Sequence, residues 1–349
     1  MKLTVNFAIV GCGLISRLHL AAIEAIDDAR LAGVYDADPQ AAARTAQEWG
    51  AKAYPTYEAL LEDPDVDAVC ICTPSFLHVH HARQALKAGR HVLVEKPLAL
   101  SVEDCDELIL LAKQKGVQLG VVSQLRFSPA VRNVRQALEK GLLGRLTRVD
   151  LYMKYYRPQS YYDSGAWRGT WEKDGGGALM NQGIHGVDLL LYLMGSVKNI
   201  YALCGTLARD IEVEDTLSAV IAYQSGAIGV IEASTADWPG APRRIEINGE
   251  YGMITLEEDR IAAFRVDGED SYRLYEQKES YIATHSDPGR IEPTGHREQL
   301  KNFISAVRKD TELLVDAYQG RAAVALVLAA YRSQKLGMPV VLDTPQQKL

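Results

Sequence analysis

The sequence predicts two domains of different architecture: a doubly wound α/β domain over residues 1–122 and an α+β domain with a large, mainly antiparallel open sheet over 123–349. Three observations carry this. Up to residue 122, Val- and Ile-rich runs without polar alternation take turns with helical patterns, as strands buried on both faces of a parallel sheet do. Beyond it, strand-like runs follow one another with no helix between them, the mark of antiparallel pairing. The length, 349 residues, suits two cores better than one.

The elements follow in order. "VNFAIV" (5–10) is a buried strand, and Leu14–Ile26 is helical. "LAGVYD" (31–36) is the second strand; Pro39 opens the next helix and Gly50 closes it. "DAVCICTP" (67–74) is the third strand, followed by a helix from Phe76 to Ala88 that stops at Gly89. "HVLVEKP" (91–97) is the fourth, and Ser101 with Asp104 resembles a capping box for a helix ending near Gly116. "VQLGVV" (117–122) is the fifth. In the second domain a helix at Ala130–Lys140 leads into "RLTRVDLYMKYY" (145–156), which alternates as a strand with one wet face. A Tyr/Trp/Gly-rich stretch (156–177) precedes a helix from Ala178 to Met194. Strands are expected at 198–206, 215–223, 226–234, 243–248, 251–256 and 260–266, then helices at 295–309 and 317–336 and a final "PVVL" (339–342). Residues 277–294 are expected to be a mobile loop.

Composition narrows the function. A formal net charge of -7 argues against a general nucleic-acid binder, which needs a basic surface. The five cysteines (Cys12, Cys70, Cys72, Cys105, Cys204) are scattered without metal-ligand spacing and read as reduced thiols. Adjacent His80 and His81 diverge on a helix, so no metal site is expected there. Residues 1–10 lack a signal-peptide pattern, and the apolar run 322–331 is too short to span a bilayer. The expectation is a cytoplasmic protein with no membrane partner.

The first strand runs into "GCGLIS". In a Rossmann turn the first glycine permits the bend, the second lets backbone approach a pyrophosphate, and the third packs the helix on the strand. Gly11 and Gly13 fill the first two places; Ser16 stands at the third. The pyrophosphate then lies at the positive end of the helix, against Gly11, Cys12, Gly13, Leu14 and Ile15. Asp36 ends the second strand, 20 positions after Ser16. A carboxylate there accepts from a ribose diol and repels a 2′-phosphate, so NAD is favoured over NADP.

With "CTPSFLH" (72–78), "VEKPLAL" (94–100) and "GGGALMNQGIHGVDLLLYLMG" (175–195), the sequence resembles the Gfo/Idh/MocA oxidoreductases nearly end to end. That resemblance implies hydride passing between a nicotinamide and a ring carbinol of a sugar, cyclitol or related polyol. It makes Lys96 the lysine shared by nicotinamide and substrate hydroxyl, and His185 the acid/base candidate. Thr73, Pro74 and His78 would border the cofactor, with Glu95 at its ribose. Asn181 stands where many members carry Asp; it can orient a hydroxyl but cannot change charge. The chemistry agrees, because alcohol oxidation needs a base near working pH, and histidine is close to that unperturbed. Asn181 and His185, four apart, share a helix face, and Asp188 is placed to steer the imidazole.

The aromatic stretch before that helix should line the cleft, because aromatic faces stack on sugar rings and arginines bind carboxylate or phosphate. The resemblance brings Trp167 and Arg168 to the cofactor or sugar. Arg157, Arg168 and His296 are further candidates for substrate contact. The stretch most resembles the branch containing UDP-N-acetylglucosaminuronate 3-dehydrogenases, which implies a hexose or hexuronate derivative, nucleotide-linked or free. Two alternatives within the family are a glycosidase working by transient NAD oxidation and a non-enzymatic dinucleotide-sensing regulator. A homodimer or homotetramer is expected, because an open sheet with one uncovered face exposes much apolar surface.

Overall fold

The computed structural model describes residues 4–267 and 293–342. They form two compact units, residues 4–124 with 293–321 and residues 125–267 with 322–342. Where the sequence suggested one cut at 122/123, the chain returns to the first unit for a helix at Thr294–Val307. Residues 277–292 of the expected loop lie outside the described residues.

The first unit runs β1 (Val5–Val10), α1 (Ser16–Glu24), β2 (Ala29–Tyr35), α2 (Pro39–Glu48), β3 (Lys52–Ala53), α3 (Tyr57–Glu62), β4 (Ala68–Ile71), α4 (His78–Lys87), β5 (His91–Val94), α5 (Val102–Lys115) and β6 (Leu119–Val121). All six strands are parallel, in the order β3-β2-β1-β4-β5-β6. Phe7, Ile9, Val69, Cys70, Ile71, Val92 and Val94 are fully buried. Each large apolar side chain so buried contributes about 1.5–3 kcal/mol, which is why these runs lack polar alternation. Helix starts follow local chemistry: Asp38 accepts from the Gln40 amide ahead of Pro39, and Ser101 accepts from the Asp104 amide. The returning helix seals the sheet through Leu300, Phe303 and Ile304, and Gln299 bonds the backbone of Val121 and Ser123. Strand order reverses between β1 and β4, so the carboxyl ends of these two strands form the crevice where open α/β sheets bind ligands.

The second unit begins with α6 (Pro129–Glu139), β7 (Leu146–Lys154) and α7 (Gln159–Asp163). A wide π-type turn, Ala178–Gly183, opens α8 (Ile184–Met194). Next come β8 (Val197–Gly205), β9 (Thr216–Tyr223), β10 (Ile228–Ser234), β11 (Arg244–Gly249), β12 (Gly252–Glu257) and β13 (Arg260–Val266). The Thr294–Val307 helix is α9; α10 (Ala317–Leu336) and β14 (Val340–Val341) follow. The eight strands lie in the order β13-β12-β11-β7-β10-β9-β8-β14, antiparallel except for β7 beside β10. One face buries Leu151, Ala202, Leu217, Ile221 and Ile231, while Tyr201, Leu203, Val220 and Ile228 on β8, β9 and β10 are exposed.

Candidate active site

The glycine turn closes for a stated reason. Gly11 has φ +94°, and a Cβ there would lie 2.8 Å from the Cys72 carbonyl carbon and oxygen and 2.9 Å from the Thr73 nitrogen. Only glycine lets β1 and β4 end this close together. A Cβ on Gly13 would meet nothing within 4 Å, so that side is open to a ligand. Ser16, buried, donates its hydroxyl to the Gly13 carbonyl at 2.7 Å. The residue at the third-glycine place therefore ties the helix to the turn. Asp36 accepts from the Cys12 amide at 2.7 Å and from the Asp38 amide at 2.8 Å, one bond to each oxygen. These fix the plane of a half-buried carboxylate and leave lone pairs for a ribose diol. The donor set, the open glycine and the oriented carboxylate fit a dinucleotide.

Three residues expected at the ligand turn inward instead. His78 is 1% exposed, with Nδ1 at 2.7 Å from the Pro97 carbonyl and Nε2 at 2.9 Å from the Thr73 carbonyl. It braces the loop after β4 against the loop after β5, and burial lowers its pKa. Glu95 has both oxygens engaged within the protein: Oε1 lies 2.8 Å from His19 Nε2 on α1, and Oε2 accepts from the Lys96 amide at 3.3 Å. His296, 3% exposed, lies with its Nε2 3.9 Å from the same Glu95 oxygen. Burial alone would raise the Glu95 carboxyl, but His19 outweighs it and holds the pKa down to about 2. Burial likewise opposes charge on His19, yet Cys72, Cys70 and Glu95 keep its pKa well above the usual value. The ligand atoms of His19, Glu95 and His296 lie within 4.8 Å of one another. A metal there would have to displace a firmly held His19 proton, so the chemistry of the set is that of a buried ion pair. Its consequence is local: it anchors the backbone on which Lys96, itself half-buried, is carried.

The second unit carries Asn181, His185, Trp167 and Arg168. The last two are half-buried, and the Arg168 guanidinium lies 4.5 Å from the Trp167 ring centre and 4.3 Å from that of Tyr161. Asn181 donates its amide to Asp174, a buried carboxylate that also accepts from the Gly169 amide at 2.9 Å. Gln182 Nε2 donates to Asn181 Oδ1 at 2.8 Å and to the Tyr161 hydroxyl at 2.9 Å. Both ends of the Asn181 amide are thereby fixed. Arg157, 4% exposed, donates to the Tyr156 carbonyl and to Gln182 Oε1, so it braces this network. Asp188 has both oxygens engaged by Arg126, at 2.6 and 2.7 Å, in a buried bidentate pair, in place of the imidazole-steering role expected of it. Gln182 and Asp174 were not singled out in the sequence. The adjacency of Gln182 to Asn181 was the available signal; nothing local marks Asp174.

Residues 5–123 match the family described as an oxidoreductase family with NAD-binding Rossmann fold, Gfo/Idh/MocA, and residues 131–255 match the Gfo/Idh/MocA C-terminal domain. The chain belongs to this family. Within it, the chain is 35% identical to the WlbA dehydrogenase of Bordetella pertussis, solved in complex with NADH and UDP-GlcNAcA, over 98% of each chain with a TM-score of 0.88. It is 33% identical to the WlbA dehydrogenase of Chromobacterium violaceum, solved with the same two ligands, over 97% of this chain and 96% of that one, with a TM-score of 0.86. The myo-inositol 2-dehydrogenase of Thermotoga maritima is 28% identical, over 97% of this chain and 98% of its own. The Gfo/Idh/MocA protein described here is an NAD-dependent oxidoreductase whose dehydrogenase relatives act on sugars, cyclitols and nucleotide sugars. Among the described residues no helix is long and apolar enough to cross a membrane.

Proposed function

We propose that the protein oxidises a ring hydroxyl, the 3-hydroxyl in particular, of a hexuronate carried on a nucleoside diphosphate. The observation that carries this is the likeness along nearly the whole chain to the two WlbA dehydrogenases, at 35% and 33% identity against 28% for the inositol enzyme. NAD, when bound, supplies the hydride acceptor. Gly11–Ile15 and Asp36 hold it, with Thr73 and Pro74 at its border. Lys96 orients and polarises the substrate hydroxyl, and His185 takes its proton. Asn181, fixed by Asp174 and Gln182, offers an oriented hydrogen-bonding amide to the sugar. Trp167 and Arg168 add an aromatic face and a cation suited to a sugar bearing negative charge. The protein works as a homo-oligomer in the cytoplasm, a reading supported by the exposed Tyr201–Leu203–Val220–Ile228 face and by five free thiols.

The test is an NAD-reduction screen across inositols, aldoses, hexuronates and UDP-sugars, with Lys96→Ala as control. The highest kcat/KM is expected with the UDP-hexuronate, and no turnover with Lys96→Ala. Strong reduction by free inositol and none by UDP-sugars would remove the nucleotide. Sugar release without net NADH would point to the eliminating glycosidase. Near-normal turnover in His185→Ala, with none in Lys96→Ala, would exchange their roles.

A further inference from the structure

Four consecutive backbone amides at the start of the turn that carries Asn181 are capped by two residues remote in sequence. Gly177 N donates to Glu214 Oε2 at 2.8 Å, and Ala178 N donates to the Glu214 carbonyl at 2.9 Å. Leu179 N donates to Glu214 Oε1 at 2.9 Å, and Met180 N donates to the Tyr331 hydroxyl at 3.2 Å. Tyr331 in turn donates its hydroxyl to Glu214 Oε1 at 2.8 Å. From Asn181 onward the helix supplies its own acceptor, since Asn181 N donates to the Gly177 carbonyl at 2.9 Å. A helix leaves its first N–H groups unpaired and its N-terminus positive. Here the Glu214 carboxylate and carbonyl and the Tyr331 phenol meet all of that demand.

The glycine run preceding the turn has the same cause. A Cβ on Gly177 would lie 1.8 Å from the Glu214 carbonyl oxygen, and one on Gly176 would lie 2.3 Å from the Tyr331 hydroxyl. The glycines make room for the clamp, and the clamp fixes the height and rotation of the turn. Glu214 is 2% exposed, so nothing from solvent substitutes for it.

We propose that Glu214 and Tyr331 are positioning residues for hydride transfer, holding Asn181 and His185 where the substrate hydroxyl is met. This rests on the reading that those two side chains serve the hydroxyl. It adds that their placement is set by Glu214, two residues ahead of β9, and by Tyr331 on α10 rather than by α8 itself.

Glu214→Gln discriminates. Its shape is unchanged, but every group facing the carboxylate is a donor, so the new NH2 must oppose the Gly177 or Leu179 N–H. Turnover is measured per NADH-binding site, counted by fluorescence titration, together with KM for NAD and the pH profile of kcat. Expected are a fall in kcat of about tenfold or more, KM for NAD within about twofold, and a displaced limb in the pH profile. A purely structural role would lower the number of competent sites and leave turnover per site and the profile unchanged, and that result overturns the proposal. Should Glu214→Gln not fold, Tyr331→Phe removes only the two hydroxyl bonds. A several-fold lower kcat per site is expected, and unchanged kcat per site overturns the proposal. Failure of the underlying reading looks different: His185→Ala and Asn181→Ala would then retain wild-type turnover whatever Glu214→Gln does.

Discussion

Asp36 and Glu95 are both carboxylates at the carboxyl end of a strand, and their surroundings give them opposite tasks. Asp36 is half-buried with its plane set by two amides, so Asp36→Ala should raise KM for NAD by tenfold or more, as loss of a charge-assisted diol contact implies. It should also narrow the preference for NAD over NADP; steady-state kinetics with both cofactors checks this. Glu95 is enclosed with His19, and removing one partner of such a pair costs about 3–5 kcal/mol. Its pKa is depressed from 4.5 to about 2, so its stabilisation is present above pH 4.5 and is lost as the pH falls toward 2. His19 is raised above 6.5, so its share is full below that pH and is lost as the pH rises through the folded value. The stability gap between wild type and Glu95→Gln, read from urea unfolding, should therefore be widest between pH 4.5 and 6.5 and narrow on either side. The sequence marked Lys96, Asn181 and His185 through their motifs. The partners that hold Glu95, His78 and Arg157 were not legible, because a motif gives a position along the chain, not the direction of a side chain.

At the level of elements, what could be read depended on how strictly burial constrains composition. β1, β4 and β5 are covered on both faces and were legible as unbroken Val/Ile/Leu runs. β3 has two exposed residues and α3 only six, too few for a period to show, so neither was expected. The helix foreseen over Ala178–Met194 divides into a π-type turn and α8, and the turn's first amides are capped by Glu214 and Tyr331, contacts that no local pattern encodes. α8 is also tied down by Asp188 on Arg126. Asp188→Ala should cost about 3–5 kcal/mol, measurable by urea unfolding, because the buried guanidinium loses its charge partner.

For the whole molecule, two architectures were legible from the change in rhythm near residue 122, but the return of α9 to the first unit was not. Its Leu300, Phe303 and Ile304 are apolar at helical spacing, which says that a face is buried and not against what. The open face of the second sheet carries its own prediction. Leu203 and Val220 are 58% and 57% exposed on neighbouring strands, so a charge at either should oppose self-association. Val220→Glu is expected to lower the sedimentation coefficient to that of a smaller species, while a wild-type protein that sediments as a monomer would remove the oligomer.

Direct hydride transfer from a sugar carbon to NAD is tested by incubating the enzyme and NAD with a UDP-hexuronate deuterated at C3 and weighing the reduced cofactor by mass spectrometry. One deuterium is expected in the NADH formed, and none when Lys96→Ala replaces the wild type. Product appearing while the cofactor carries no deuterium would contradict it.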